Sequence, residues 1–116
     1  MKLSEAEWAL LEILWREERC TLGELTAAIK KWNKNTVYTY LTRMEAKGLV
    51  AIDRTQPKPY SAAVSREACA SRERQELLHK VYGGAAGDLI AAFLKDTAIP
   101  ASEVERLKKM LEEMEV

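Results

Sequence analysis

The sequence predicts a mainly α-helical fold with a small β-hairpin, on three observations. Two short amphipathic helical patterns, each opened by a Ser/Thr-x-x-Glu sequence, precede a third whose outer face is almost all Thr, Asn, Tyr and Arg. A strand pattern, a Pro-containing turn and a second strand pattern follow that third helix directly. A long helical pattern and two short ones come last, and the short ones carry more apolar side chains than a small tail buries within itself. This is the order of a winged helix-turn-helix, expected over residues 1–64, followed by a helical dimerisation region over 65–116.

Ser4-Glu5-Ala6-Glu7 has the form of a capping box and opens a helix to about Glu17. Trp8, Leu11 and Trp15 recur at spacings of three and four, with Leu10 and Leu14 beside them, so the tryptophans are expected in the core. Thr21-Leu22-Gly23-Glu24 is a second capping box, and Leu22, Leu25, Ile29 and Trp32 line one face of the next helix. Asn33 is the expected N-cap of the third, which Gly48 ends.

Val37, Leu41 and Met44 form the buried stripe of that third helix, and Asn35, Thr36, Tyr38, Thr39, Thr42 and Arg43 fall largely on the other side. Thr, Asn and Tyr are weak helix formers, and a surface helix made only for stability carries Glu, Lys and Ala instead. Short hydrogen-bonding side chains without carboxylates suit the major groove of DNA, where base edges and phosphates must be met without repulsion. Thr36, Thr39, Thr42 and Arg43 are therefore expected to approach bases, with Asn35 and Tyr38 on the same surface and Lys34 on a phosphate.

Leu49 to Asp53 reads as a strand, Gln56-Pro57-Lys58-Pro59 as a rigid turn and Tyr60 to Val64 as the returning strand, with the prolines suited to an edge hairpin. Arg54 and Lys58 lie at the tip, where a wing meets phosphates. A long helix runs from Ser65 to about Tyr82 with Leu77, Leu78 and Val81, and Gly83-Gly84 breaks it. The next helix carries Leu89, Ile90, Phe93 and Leu94. After Ile99-Pro100, Ser102-Glu103-Val104-Glu105 reads as a third capping box, before a helix with Val104, Leu107, Met110, Leu111 and Met114. A two-fold dimer is the expected cover for these last two faces, the commonest closed assembly; the competing arrangement folds them back on their own domain.

At 116 residues, with 47% hydrophobic and 31% charged residues, the chain suits one globular domain plus an appendage. Net charge is zero, but its distribution is polarised. Residues 30–60 hold seven bases and two acids, a net +5, and residues 83–116 hold four bases and seven acids, a net −3. The basic part can meet a polyanion. No apolar run is long enough for a membrane span, and the first residues lack the apolar core of a signal peptide, so a cytoplasmic location is expected. Cys20 and Cys69 match no ligand spacing and are expected as free thiols. The lone His79 has no catalytic or metal companion. With no glycine-rich phosphate loop either, neither an enzyme site, a cofactor nor a metal is expected.

Several segments together resemble the penicillinase-repressor family of bacterial transcription regulators, the BlaI/MecI type. They are Glu5-Ala6-Glu7-Trp8, Ile13-Leu14-Trp15, the run from Thr36 to Met44, Lys47-Gly48-Leu49-Val50, Tyr60-Ser61, and Leu78-His79-Lys80-Val81-Tyr82-Gly83-Gly84. The order and spacing of these pieces carry the resemblance, which covers nearly the whole chain. It implies a homodimeric repressor on a pseudo-palindromic double-stranded operator, often with TACA/TGTA half-sites. In the β-lactam-sensing branch, tied to antibiotic resistance, a membrane metalloprotease receptor triggers cleavage before a Phe; the matching bond here is Ala92-Phe93, with Ala92 where those repressors carry Asn. The copper-sensing branch carries Cys-x-Cys pairs near its C-terminus, and this chain has no cysteine after Cys69. Many relatives have a basic residue in the place of Tyr38, which can offer a phosphate its hydroxyl or a thymine methyl its ring.

Two other readings stay open at this point: a winged helix used as a protein-docking module, and a repressor that answers to a small molecule bound between its helices.

Overall fold

A computed structural model describes residues 2–114. Its elements run α1 (Glu5–Glu17), α2 (Leu22–Ile29), α3 (Lys34–Ala46), β1 (Val50–Ile52), β2 (Tyr60–Ala62), α4 (Arg66–Tyr82), α5 (Ala86–Asp96) and α6 (Ala101–Glu113). They fall into two compact units, Met1–Arg74 and Gln75–Val116.

In the first unit, both early capping boxes form. The Ser4 hydroxyl accepts from the Glu7 amide at 3.1 Å while the Glu7 carboxylate accepts from the Ser4 amide at 2.9 Å. Thr21 and Glu24 repeat the exchange at 3.0 and 2.9 Å. Each box satisfies two of the orphan donors at a helix start. Asn33 caps α3 by accepting from the Thr36 amide at 2.9 Å. At the other end Gly48, at φ +78°, donates to the Glu45 carbonyl, and Leu49 donates to that of Met44. That pair of bonds is a Schellman motif, and it turns the chain from α3 straight into β1.

The core is Leu10, Leu11, Ile13 and Leu14 of α1, Leu25 of α2, Val37, Leu41 and Met44 of α3, and Cys20, Leu49, Val50 and Tyr60 around the hairpin. Burying each Leu contributes about 1.5–3 kcal/mol, so the three-helix contact carries most of this unit's stability. The tryptophans were expected inside and are half-buried at its edge instead. Trp15 donates its indole N–H to the Val64 carbonyl at 2.8 Å and Trp8 donates to Glu12 at 3.0 Å, while their rings meet edge to face at 5.5 Å. An indole N–H needs a partner, and the core rim supplies one that the all-apolar interior does not.

β1 and β2 pair antiparallel, Val50 with Ala62, Ala51 with Ser61 and Ile52 with Tyr60. Cys20, in the α1–α2 connection, adds a further bridge on the other edge of β2, exchanging both backbone bonds with Tyr60 at 2.9 and 3.1 Å. The hairpin is therefore tied to the helical layer by main chain as well as by its apolar face.

In the second unit, Gly83 and Gly84 have φ of +56° and +90° and end α4 where the sequence predicts. The third capping box does not form. Pro100, with φ fixed near −58° and no N–H, takes the N-cap position of α6, and Ser102 falls inside the first turn. Glu103 pairs with Arg106 at 2.7 Å instead. None of α4, α5 and α6 has a buried residue. Among the described residues no helix is long and apolar enough to cross a membrane.

Candidate nucleic-acid interface

The burial of Val37, Leu41 and Met44 determines which side of α3 faces outward. At 3.6 residues per turn, the opposite side has Asn35, Thr39 and Thr42 at its centre, Thr36 and Arg43 on one flank and Tyr38, then Lys34, on the other. All are exposed except Thr36, which is half-buried against the Asn33 cap; Tyr38 keeps 46% of its surface in solvent. No carboxylate occurs between Lys34 and Met44. Tyr40, the other tyrosine of α3, turns away from this surface and packs on Trp32 with ring centres 5.1 Å apart.

Two of the threonines are held in one orientation. Thr39 Oγ1 donates to the Asn35 carbonyl and Thr42 Oγ1 to the Tyr38 carbonyl, each at 2.9 Å. With the hydroxyl proton committed to the preceding turn, each side chain offers the outside its lone pairs and its methyl group. In the major groove those are complementary to the amino groups of adenine and cytosine and to the methyl of thymine.

The wing is organised at its tip by Asp53. Its carboxylate accepts from the Thr55 hydroxyl at 2.6 Å and the Thr55 amide at 3.0 Å. Those bonds hold the Asp53 carboxyl below its ordinary value. The Gln56 amide donates back to the Asp53 carbonyl, and the Asp53 amide donates across to that of Pro59. Arg54 is exposed at this turn. Lys58 is also exposed, and its ammonium lies 3.1 Å from the Glu24 carboxylate on α2. The Thr21 amide and then Lys58 keep the Glu24 carboxyl below its usual range.

The structure thus brings Lys34, Asn35, Thr36, Tyr38, Thr39, Thr42 and Arg43 onto one helix and Arg54 and Lys58 onto the wing behind it. The pairing partners of the basic residues were not legible in the sequence. Lys47 is bound to Glu7, and Lys58 to Glu24, across separations of 40 and 34 residues. Arg19, also missed, donates to the Lys58 and Pro59 carbonyls at 2.8 and 3.4 Å. None of these interactions leaves a local sequence signal.

The expected dimerisation residues lie in α5 and α6. Ile90, Phe93, Leu94, Met110 and Leu111 are more than half exposed, Phe93 at 55%, and Leu89, Val104 and Leu107 are half-buried. The Ala92–Phe93 bond falls within α5, in regular helix. Among the described residues no group of His, Cys, Asp and Glu is placed to hold a metal.

The family model described as "Penicillinase repressor" matches residues 3–113. The chain belongs to this family. Its members are DNA-binding transcriptional repressors of the BlaI/MecI type, not enzymes. The chain is similar to the methicillin resistance regulatory protein MecI of Staphylococcus aureus strain N315, 26% identical across 95% of this chain and 93% of the relative. To the penicillinase repressor of Staphylococcus aureus it is 24% identical, across 98% of this chain and 94% of that one. A solved MarR/EmrR family transcriptional regulator from Acinetobacter sp. ADP1 aligns with 97% of this chain and 78% of its own at 15% identity and TM-score 0.46. In this repressor the outer face of α3 and the wing hold the residues that the sequence predicts at DNA, and α5 and α6 hold those it predicts at a dimer interface.

Proposed function

We propose that this repressor acts as a homodimer that occupies a pseudo-palindromic operator, with α3 of each protomer in successive major grooves about 34 Å apart. Residues 1–64 serve as the reading head and residues 65–116 as the dimerising region, and the protein works in the cytoplasm. The observation that carries the reading is the outer face of α3: exposed, free of carboxylates from Lys34 to Met44, and backed by a buried stripe that prevents its rotation. Thr36, Thr39, Thr42 and Arg43 approach bases, Asn35 and Tyr38 lie beside them, and Lys34, Arg54 and Lys58 neutralise phosphates.

The exposed apolar residues of α5 and α6 support a second copy as their cover. Leaving so many large side chains in water is unfavourable by about 25 cal/mol per Å². Release from DNA then follows from loosening that interface. Proteolysis at Ala92–Phe93 is a route to the same end, but a protease that reads extended chain must first unwind α5 there. A membrane protease encoded nearby is the partner such a route requires.

The test is selection of bound duplexes from random DNA at near-physiological salt. Enrichment of an inverted repeat with half-site centres one turn apart is expected. Absence of any enriched sequence, with only weak binding, would overturn the reading in favour of a protein-docking module or of a repressor that first needs a ligand.

A further inference from the structure

Beyond the Asp53 bonds that shape its tip, the wing has little of its own to fix its place. It is a three-rung ladder, residues 53–58 are exposed, and Pro57 and Pro59 give no amide to hydrogen bonding. An isolated hairpin of this size is marginal in water. Its returning arm is nevertheless tied at three points to the α1–α2 connection and the start of α2. Cys20 pairs with Tyr60 through main chain, Glu24 meets the Lys58 ammonium at 3.1 Å, and the Arg19 guanidinium donates to the carbonyls of Lys58 and Pro59. The Pro59 carbonyl also receives the Asp53 amide at 2.9 Å, so Arg19 closes on the bond where the ladder hands over to the tip.

We propose that Arg19 is a positioning residue for operator binding: its guanidinium pins the main chain of Lys58 and Pro59 and so sets where Arg54 and Lys58 meet the DNA backbone. The inference rests on the wing-to-phosphate approach proposed above. It follows from geometry that only arginine supplies. A planar fork reaches two successive carbonyls from two nitrogens, whereas an ammonium carries all its donors on one atom. The tie holds the backbone of Lys58 and not its side chain. The ammonium remains free to turn from Glu24 to a phosphate, while the arm from which it swings stays in place. Pinning the arm lowers the ordering cost of the bound state, since the wing does not have to be immobilised when DNA arrives.

The experiment uses the full chain and a duplex that the wild type binds, with affinity followed against salt concentration. Arg19→Lys keeps the charge and loses the fork. It is expected to weaken binding and flatten the salt slope, by about 0.9 for each phosphate that the wing no longer neutralises. In an Arg54→Ala/Lys58→Ala background, Arg19→Lys is expected to change neither affinity nor slope. Thermal midpoints are measured alongside; if Arg19→Lys unfolds the protein, Arg19→Gln, which keeps one donor for the Lys58 carbonyl, takes its place. Full affinity in Arg19→Lys would overturn the proposal, because charge alone would then suffice. So would an equal loss with and without the wing cations, because Arg19 would then act on DNA or on the fold by another route. A wild type that shows no salt-steep binding to any duplex is a separate result, and it refutes the DNA-binding reading itself.

Discussion

The Lys47 ammonium lies 2.7 Å from the Glu7 carboxylate, which ties the end of α3 to the first turn of α1. Glu7 is only 4% exposed, and its other oxygen accepts from the Ser4 amide. One carboxylate therefore starts the first helix and anchors the chain just before it enters the wing. Lys47→Ala leaves that carboxylate buried with its capping bonds alone. Breaking a fully buried pair costs about 3–5 kcal/mol. The Lys47 side chain is 41% exposed and water screens part of the attraction, so a loss of about 1–2 kcal/mol is expected by urea unfolding. A stability equal to wild type would mean that the cap alone satisfies Glu7.

The same ion pair makes a pH prediction. Burial pushes the Glu7 carboxyl up, but Lys47 and the Ser4 amide and hydroxyl outweigh it, and the net shift is downward from 4.5. A group whose folded value is depressed binds protons more readily in the unfolded chain. Its contribution is complete above its ordinary value near 4.5 and is lost as pH falls through the lower, folded value. Wild type should therefore exceed Glu7→Gln in stability at neutral pH, with the gap closing in acid. A gap that stays constant from neutral pH down to acid would contradict this assignment.

If Lys58 meets a phosphate, Glu24 competes with DNA for its ammonium. Glu24→Gln keeps an oxygen for the Thr21 amide, so the cap of α2 survives, and removes the charge that holds the wing ammonium. Operator binding should tighten, most at low salt, because Lys58 no longer leaves a carboxylate to reach its phosphate, and the salt slope should steepen. Titrations at several salt concentrations check this; an unchanged slope would place Lys58 away from the phosphates.

Much of the fold was legible because its signals are local. Ser4, Thr21 and Asn33 each lie three residues from the amide they cap, Gly48 and Gly83-Gly84 mark backbone turns that other residues resist, and the stripe Val37, Leu41, Met44 repeats with the helix. The third capping box had the same local form and failed, because Pro100 two residues earlier had already claimed the N-cap. Trp8 and Trp15 followed the apolar spacing, yet the partners of their N–H groups lie at the rim. The ion pairs of Lys47 and Lys58 and the fork of Arg19 join residues 34 to 40 positions apart. Such pairings are decided by how the helices pack, and a summed charge over residues 30–60 counts those lysines as free when two are already paired.

Arg43 makes no ion pair among the described residues and stands on the flank of the reading face. If it pairs with guanine, Arg43→Ala should cost about 1–3 kcal/mol of operator affinity and relax the preference at one position of each half-site. Selection from random DNA with both proteins reads the second effect directly. Unchanged affinity would show that α3 enters the groove in another orientation.

The apolar face of the C-terminal unit yields the last prediction. Phe93 and Leu94 are each more than half exposed on a helix that buries nothing of its own. A single carboxylate there, Phe93→Glu, costs the isolated chain little, since the site is already in water, but places a charge in the middle of any face that two copies share. Sedimentation should find wild type as dimer and Phe93→Glu as monomer, with unfolding of residues 1–74 unchanged. Two half-sites on one linked unit gain an effective concentration that separate protomers lack, and losing it should weaken operator binding by about 10²- to 10⁴-fold. Truncation after Ala92 should do the same. A Phe93→Glu protein that remains a tight dimer would move the interface off α5, and one that is monomeric yet binds the operator at full strength would remove dimerisation from the mechanism of repression.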